Sequence, residues 1–292
     1  MAQTNFHELH EANPEGFTLA DVDPDYTDGL SREHAEARRE AEIERLADLQ
    51  GRLWGEGKRA LLVVLQGIDA AGKDGTIRHV MSGVNPAGVR VTAFKQPNSR
   101  ELAHDFLWRC QRAVPQHGEI GIFNRSHYEE VVVVRVHPEL LAAQDLPTSP
   151  DTDPKFWHHR YESINHWESH LRRSGTHILK FLLYISKDEQ RKRFLSRIDD
   201  PTKNWKASPS DFAERVYWDD YIDAYDEMVR NTSTKHAPWY VIPANHKWYA
   251  RAAVASIIAE TLEDMDPQFP TVSPETIGEL ARARAELLAE TD

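Results

Sequence analysis

The run ALLVVLQ, Ala60–Gln66, leads without a break into Gly67-Ile68-Asp69-Ala70-Ala71-Gly72-Lys73. A continuous apolar run of strand length, with no polar alternation, is buried on both faces, so it belongs at the centre of a sheet with helices on either side. The spacing G-x-x-x-x-G-K after such a strand, and opening a helix, is the setting in which a loop wraps phosphate oxygens. Glycines let successive backbone N–H groups turn inward, and the helix N-terminus adds a favourable potential. The predicted cradle is Gly67, Ala70, Ala71, Gly72, Lys73, Asp74 and Gly75, with Lys73 able to bridge transferring phosphates. Most loops of this kind carry Ser or Thr after the lysine to bind magnesium. Asp74 stands there instead, which makes Asp69, inside the loop, the better placed acid. An ordinary glycine turn is the plain alternative, and Lys73 and the flanking elements disfavour it.

The rest of the chain alternates in the same style. Residues 1–29 are polar, with scattered Pro and Asp, and read as an irregular arm. Ile43, Leu46, Leu49 and Leu53 share one face of a helix predicted from Ser31 to Trp54 and stopped by Gly55 and Gly57. Beyond the loop helix, strands are predicted at Val89–Lys95, Glu119–Asn124, Thr176–Ile185 and Trp239–Ile242. Between and after them come helices from the Asn98/Glu101 capping box to about Val114, over Phe156–Arg173, from Ser186 to about Ile198, over 210–230 behind Ser208-Pro209, and over 247–263. A last short helix is predicted near 275–289. At Val131–Val136 four consecutive valines favour a strand, whereas Ser126-His127-Tyr128-Glu129 starts a helix, and helix is preferred. Five strands alternating with helices give an α/β fold, a mostly parallel five-stranded sheet flanked by helices.

Composition limits the setting. The chain has 292 residues, 40% hydrophobic and 28% charged, enough to bury a full core. No apolar stretch approaches the ~20 residues of a membrane span, and the first twenty residues have no signal-peptide core. The single cysteine, Cys110, leaves no disulfide framework and no Cys-rich metal site. A cytoplasmic protein without a membrane partner is expected. The net charge of −12 is uneven: residues 1–58 carry −8, residues 260–292 carry −7, and residues 172–206 carry +6. An acidic shell around a basic centre suits a polyanion held in a focused site. Duplex nucleic acid would favour a broad basic face, so nucleic acid is not an expected partner.

A second constellation, Phe123-Asn124-Arg125-Ser126-His127-Tyr128-Glu129-Glu130, closes the third strand. In phosphoryl-transfer folds this place often supplies a metal-binding acid beside the phosphate loop. Here Asn124 occupies it, and Arg125 offers a fork for phosphate oxygens. Alone, the segment also reads as a solvated, capped turn.

Together, G-x-D-A-A-G-K-D-G at 67–75, FNRSHYEEV at 123–131, ISKDEQRKRF at 185–194, DPTKNWK at 200–206, YWDDY at 217–221 and APWYVIPANHKWY at 237–249 resemble the polyphosphate kinase 2 family. The resemblance spans about residues 30–265, and FNRSHYEEV is similar to the branch called class III, which phosphorylates AMP and ADP alike. It implies a P-loop kinase-like core with a helical lid at about 187–215, behind the 1–29 arm and before an acidic 266–292 tail. The implied reaction is reversible transfer of the terminal phosphate of inorganic polyphosphate to ADP and AMP, with Mg²⁺ (or Mn²⁺), in a homo-oligomer, dimer or tetramer. By position, Asp69, Lys73 and Arg125 belong to the catalytic centre, with Asp69 facing the metal and Asn124, Arg125 and Glu129 facing the acceptor nucleotide. Lys187, Arg191, Arg197, Lys203 and Lys206 of the lid would then meet polyphosphate. A flexible basic segment closing over phosphates neutralises charge and excludes water, which fits independently. Alone, the same run would be a solvated helix face. An ATP-dependent nucleoside or nucleotide kinase shares the core and lid, but the missing hydroxyl after Lys73 counts against it. A P-loop binding protein without turnover leaves Asp69, Arg125 and the lid charges together unexplained.

Three further features are given structural readings. His158, Glu162, His166 and His170 recur at intervals of four, but Glu168 stands one place too late for H-E-x-x-H, so a polar helix face or a subunit contact is expected rather than zinc. Cys110 is expected as a buried thiol. Trp205, between two lysines, is the one tryptophan with a case for more than packing.

Overall fold

The protein, as a computed structural model, is described over residues 4–290, apart from Lys203, Ala207 and the side chain of Lys206. Five strands, β1 (Ala60–Gln66), β2 (Val89–Ala93), β3 (Ile120–Asn124), β4 (Thr176–Tyr184) and β5 (Trp239–Pro243), form one parallel sheet in the order β2-β3-β1-β4-β5. The apolar run thus takes the central position, buried at every residue. Its side chains alternate: Leu61, Val63 and Leu65 enter one core, and Leu62 and Val64 enter the other.

Helices α1 (Phe6–His10) and α2 (Arg32–Glu56) precede the sheet, and α3 (Lys73–Val80) follows β1. Between β2 and β3 lie α4 (Ser99–Leu102) and α5 (Trp108–Gln111), and between β3 and β4 lie α6 (Val133–Val136) and α7 (Phe156–Arg173). Helices α8 (Lys187–Ile198), α9 (Pro209–Ala213) and α10 (Trp218–Thr232) join β4 to β5, and α11 (Lys247–Met265) and α12 (Pro274–Ala289) follow. Leu46, Leu49 and Leu53 of α2 pack with Ile257, Ile258 and Leu262 of α11 on one face of the sheet. Ile164 and Leu171 of α7 pack with Met228 and Val229 of α10 on the other. This is the P-loop kinase-like α/β architecture. Because β3 and β4 flank β1, the chain crosses in opposite directions on its two sides, and the crevice at the strands' C-terminal ends collects the loops after β1 and β3.

Several elements depart from the sequence expectation. The 1–29 arm, expected to be irregular, carries α1 and is stitched to the core. Phe6 is fully buried against the edge of Tyr249, and the amide of Ala12 donates to Trp239 O at 2.8 Å. Leu19 N and Thr18 Oγ1 both donate to the Asp226 carboxylate. A few apolar anchors suffice where the polar residues between them reach specific partners. The helix expected to run from Asn98 to about Val114 splits in two, because Asp105 caps the amide of Leu107 and so starts a new turn. The helix expected over 210–230 divides likewise into α9, a 3₁₀ turn at Glu214–Tyr217 and α10. Val131–Val136 holds the preferred helical form, as α6 after a 3₁₀ turn at His127–Glu130. None of the residues of α12 is buried.

The turn out of β1 has no room for a side chain. Gly67 has φ +145°, and a Cβ there would stand 2.6 Å from Leu183 O and 3.1 Å from Ala71 Cβ. We expect Gly67→Ala to lower the melting temperature by several degrees, since the strain is worth ~1–3 kcal/mol. Gly278→Ala on α12, where nothing lies within 4 Å, serves as the control and should not lower it. Equal melting of the Gly67→Ala chain and the wild type would contradict the close seating of this loop on β4.

Candidate active site

The loop from Gly67 to Gly75 makes the floor of a cavity of about 1270 Å³ at the C-terminal edge of the sheet. Ala70 at φ +66° and Gly72 at φ +111° curl the backbone so that α3 begins under the cavity. Lys73 folds back over this turn, and its Nζ donates to Gly67 O at 2.6 Å and to Ile68 O at 3.4 Å. Burial first, and Arg125 second, push the Lys73 ammonium down to about 8. A buried, partly destabilised cation is what an arriving phosphate would relieve.

Register pairing of Leu65 with Asn124 brings the end of β3 beside the loop. Asn124 Nδ2 donates to Asp74 Oδ1 at 2.6 Å, so the acid that replaces the usual hydroxyl is tied to the amide that replaces the usual acid. Arg125 follows at φ +62°, held by its amide bond to Leu65 O, and its guanidinium lies across the opening. One arm reaches Asp69 Oδ1 at 2.5 Å and the other Glu129 Oε2 at 3.4 Å. Burial works against this charge, but Glu129 and Asp69 outweigh it and raise the Arg125 pKa above its ordinary value. Asp211 lies near this group from the lid side, its carboxyl raised by burial and by Asp69.

The basic run after β4 divides by helix face. Arg193 is buried and serves as a brace: Nη1 donates to Ala70 O (2.9 Å) and Ala71 O (2.8 Å), and Nη2 to Ala244 O (2.6 Å) and Asn245 O (3.0 Å). Gln190 Nε2 donates to Asp69 O at 3.0 Å from the same face. Lys192 and Arg197 line the cavity, whereas Lys187 and Arg191 do not. Lys187 sits 5.9 Å from the Trp218 ring, and Arg191 pairs with Asp188 at the surface. Four-residue helical spacing accounts for the split, because 189, 193 and 197 share a side that 187 and 191 do not. Lys203 lies outside the described residues, as does the side chain of Lys206. Trp205 borders the cavity with its indole N–H donated to Thr202 O at 3.1 Å.

Sequence reasoning missed three of the lining cations. Lys95 after β2 and Lys247 and Arg251 on α11 complete the cationic lining. Burial and then Arg193 lower the Lys247 pKa. For Lys247 and Arg251 the one available signal was their i, i+4 spacing in the first turns of a helix whose middle is apolar.

The family model for Polyphosphate kinase 2 (PPK2) matches residues 29–270. The chain belongs to the polyphosphate kinase 2 family. It is 50% identical over 267 residues to an ADP-polyphosphate phosphotransferase of Rhodopseudomonas palustris, covering 91% of each chain. It is 47% identical over 278 residues to an AMP/ADP-polyphosphate phosphotransferase of Meiothermus ruber, covering 92% of this chain and 97% of that one. The crystal structure of polyphosphate kinase 2 from Arthrobacter aurescens superimposes with a TM-score of 0.88 at 42% identity, covering 97% of both.

In this polyphosphate kinase 2 chain, the histidine series on α7 is not gathered into a cluster: among the described residues, no three or more His, Cys, Asp or Glu side chains are grouped as metal ligands. His158 and Glu162 are exposed and pair at 3.5 Å, as a polar face would. Glu168 is different: it turns inward and is fully buried against Lys180, which the polar-face reading did not foresee. Cys110 is buried, and desolvation pushes its thiol up to about 12.

Lys73 gives a test with two readouts. An unfolded lysine titrates near 10.4, so between about 8 and 10.4 only the unfolded chain keeps the proton. Stability of the ligand-free protein therefore rises with pH across that window, and below it the full cost of burying the charge is present. We expect Lys73→Met to lower turnover ~10²–10³-fold. Its melting temperature at pH 7 should stay at or above that of the wild type. A folded variant with wild-type turnover would remove Lys73 from the reaction centre.

Proposed function

We propose that this protein transfers the terminal phosphoryl group of inorganic polyphosphate to ADP, and to AMP, forming ATP. The observation that carries this reading is the number of cations around the cavity. Beside Asp69, Arg125 and Asp211, its lining holds Lys95, Lys192, Arg197, Lys247 and Arg251 in addition to Lys73. A single nucleotide does not need so many cations, whereas a linear chain of phosphates matches them. The names of the relatives support the reading, since those of Rhodopseudomonas palustris and Meiothermus ruber are both called polyphosphate phosphotransferases.

In this reading a phosphate oxygen of the acceptor attacks the terminal phosphorus of polyphosphate. The bridging P–O bond breaks, and the chain leaves one phosphate shorter, with that electron pair. Positioning and electrostatic stabilisation dominate such transfers. The loop amides and Lys73 hold the transferring group, Arg125 orients the acceptor phosphate, and Lys247 and Arg251 steady the donor chain. Asp74 and Asn124 occupy each other, so the hydroxyl-based magnesium position of ATP-dependent kinases has no counterpart here. A divalent ion, Mg²⁺ or in its place Mn²⁺, fits beside Asp69, because Mg²⁺ takes one or two carboxylates and fills its shell with water and phosphate oxygens. When bound, it would neutralise charge on the phosphates. The proposal also includes a mobile lid at about 187–215 on a body of about 30–265, a homo-oligomeric assembly and a cytoplasmic location. Among the described residues, no helix is long and apolar enough to cross a membrane.

Two experiments follow. Asp69→Asn should lower turnover at least ~10-fold, with extra magnesium restoring only part of it. Full activity in that variant would place the metal elsewhere. The second concerns the acceptor, on which the two relatives' names differ, one giving ADP and the other AMP and ADP. With polyphosphate, magnesium and no added ATP, the wild type should make ATP from ADP, and ADP then ATP from AMP. Glu129→Asn should change the AMP-to-ADP preference several-fold, because it removes one of two carboxylates that aim Arg125. An exposed pair of no consequence would be worth only ~0.3–0.5 kcal/mol and would act evenly on both acceptors. ATP from ADP with no product from AMP would leave polyphosphate transfer standing and remove AMP as an acceptor.

A further inference from the structure

Behind the segment that carries Arg125 and Glu129 lies a buried ionic network that phosphate chemistry itself does not use. Tyr128, with no exposed surface, donates its hydroxyl to Glu168 Oε1 at 2.7 Å. Lys180 Nζ donates to that same hydroxyl (2.8 Å), to Glu168 Oε2 (2.7 Å) and to Thr232 O (2.7 Å), so its three protons are all placed. Glu168 and Lys180 are fully buried as well. The rings of Tyr128 and Trp239 each stand 5.2 Å from the ammonium. Four elements meet here: α7 through Glu168, β4 through Lys180, the end of α10 through Thr232, and the 3₁₀ turn His127–Glu130 through Tyr128.

Burying an ion pair of this kind is a poor way to gain stability, because desolvation of both charges offsets their attraction, and apolar side chains of similar volume do as well or better. What the network supplies is a fixed address. A phenylalanine-like ring could slide or rotate within an apolar pocket, whereas a hydroxyl that both donates and accepts has one position. Arg125 is three residues before Tyr128 and Glu129 one after. The turn between them must hold Arg125 at φ +62°, a left-handed conformation that strains an L-residue and persists only where its surroundings enforce it. On the near side, Ser126 Oγ accepts from Tyr128 N and from Gln66 Nε2, tying the same turn to the end of β1. On the far side the network holds the middle of the turn at Tyr128, while Arg160 of α7 holds its end, Nη1 donating to Glu130 O at 3.0 Å and to Glu130 Oε2 at 2.9 Å.

We propose that Tyr128, Glu168 and Lys180 are positioning residues that set where Arg125 and Glu129 meet the acceptor nucleotide. This rests on the reading above in which Arg125 and Glu129 serve the acceptor. Misplacement of such a group by about 1 Å costs up to ~10²-fold in rate. A role in stability alone would act on both substrates equally, and a role in positioning acts on one.

The experiment replaces the network with apolar groups in the full-length protein, as Tyr128→Phe/Glu168→Leu/Lys180→Met. Calorimetry then measures ADP and long-chain polyphosphate binding separately, and turnover is assayed with both. The triple variant should melt within a few degrees of the wild type, bind ADP at least ~10-fold more weakly, bind polyphosphate within about twofold, and turn over at least ~10-fold more slowly. Should the triple variant not fold, Tyr128→Phe alone is measured in the same way and expected to show the same split. Wild-type ADP affinity and turnover in the folded variant, or equal weakening of both ligands, would overturn the proposal. If the wild type itself makes no ATP from polyphosphate, the proposed reaction fails, while the positioning claim is still decided by the change in ADP affinity.

Discussion

A loop that turns its amide donors into a cavity forces its carbonyls the other way, and buried carbonyls must find partners. Arg193 meets that constraint for the phosphate loop. Its guanidinium takes the carbonyls of Ala70 and Ala71 on one side and of Ala244 and Asn245 on the other, with Glu189 Oε1 accepting from Nε at 2.8 Å. The loop after β1, the turn after β5 and the start of α8 are thereby joined at one planar cation. Lysine could not replace it, because an ammonium has three donors and no fork geometry. The left-handed backbone at Ala70 is held in place by this brace, which bonds the Ala70 carbonyl directly.

The fold was legible where one residue pattern admitted one environment. ALLVVLQ could only be a doubly covered strand, and the glycines after it could only serve a tight loop. Tertiary partners decided the rest. Arg193 reads in sequence as one more charge in a basic run, and nothing in ISKDEQRKRF separates it from Arg191, which lies at the surface with Asp188. Glu168, among histidines, reads as a polar face, and only the packing of α7 on β4 shows that Lys180 waits for it. Phe6 and Leu19 are isolated apolar residues in a polar arm, too sparse for periodicity, yet both are fully buried. Lys247 and Arg251 were hidden by the apolar helix that carries them.

Charge distribution reconciles a net −12 with a polyanionic ligand. The acidic excess sits largely in residues 11–31, between the first two helices, and in the tail, while the cavity collects cations from the segment after β2 and from α8 and α11. An acidic exterior disfavours loose adhesion to nucleic acid, and a concave basic site still concentrates field lines on its own ligand. Within the cavity the cations are of two kinds. Arg193 is saturated by carbonyls and is structural, whereas Lys73 makes only two bonds to carbonyls of its own turn, one of them long. The second kind is available for exchange with phosphate oxygens at little cost, since desolvation has already been met in folding.

The pairing of Asp74 with Asn124 bears on how such a loop departs from its ATP-using counterparts. A serine or threonine at 74 would point a neutral hydroxyl at a metal, and an aspartate at 124 would complete the ion's surroundings. Here both positions have changed together, and their side chains bond each other at 2.6 Å. A carboxylate at 74 facing an aspartate at 124 would repel it, and a hydroxyl at 74 facing an asparagine would leave a metal one charge short. Each change thus makes sense of the other. Asp74 keeps its charge, since a neutral amide cannot offset it, whereas the Asp69 carboxylate is shared with the Arg125 guanidinium. That sharing lets one acid sit beside anionic substrates without repelling them, because the guanidinium offsets its charge until phosphates and a cation take over the balance.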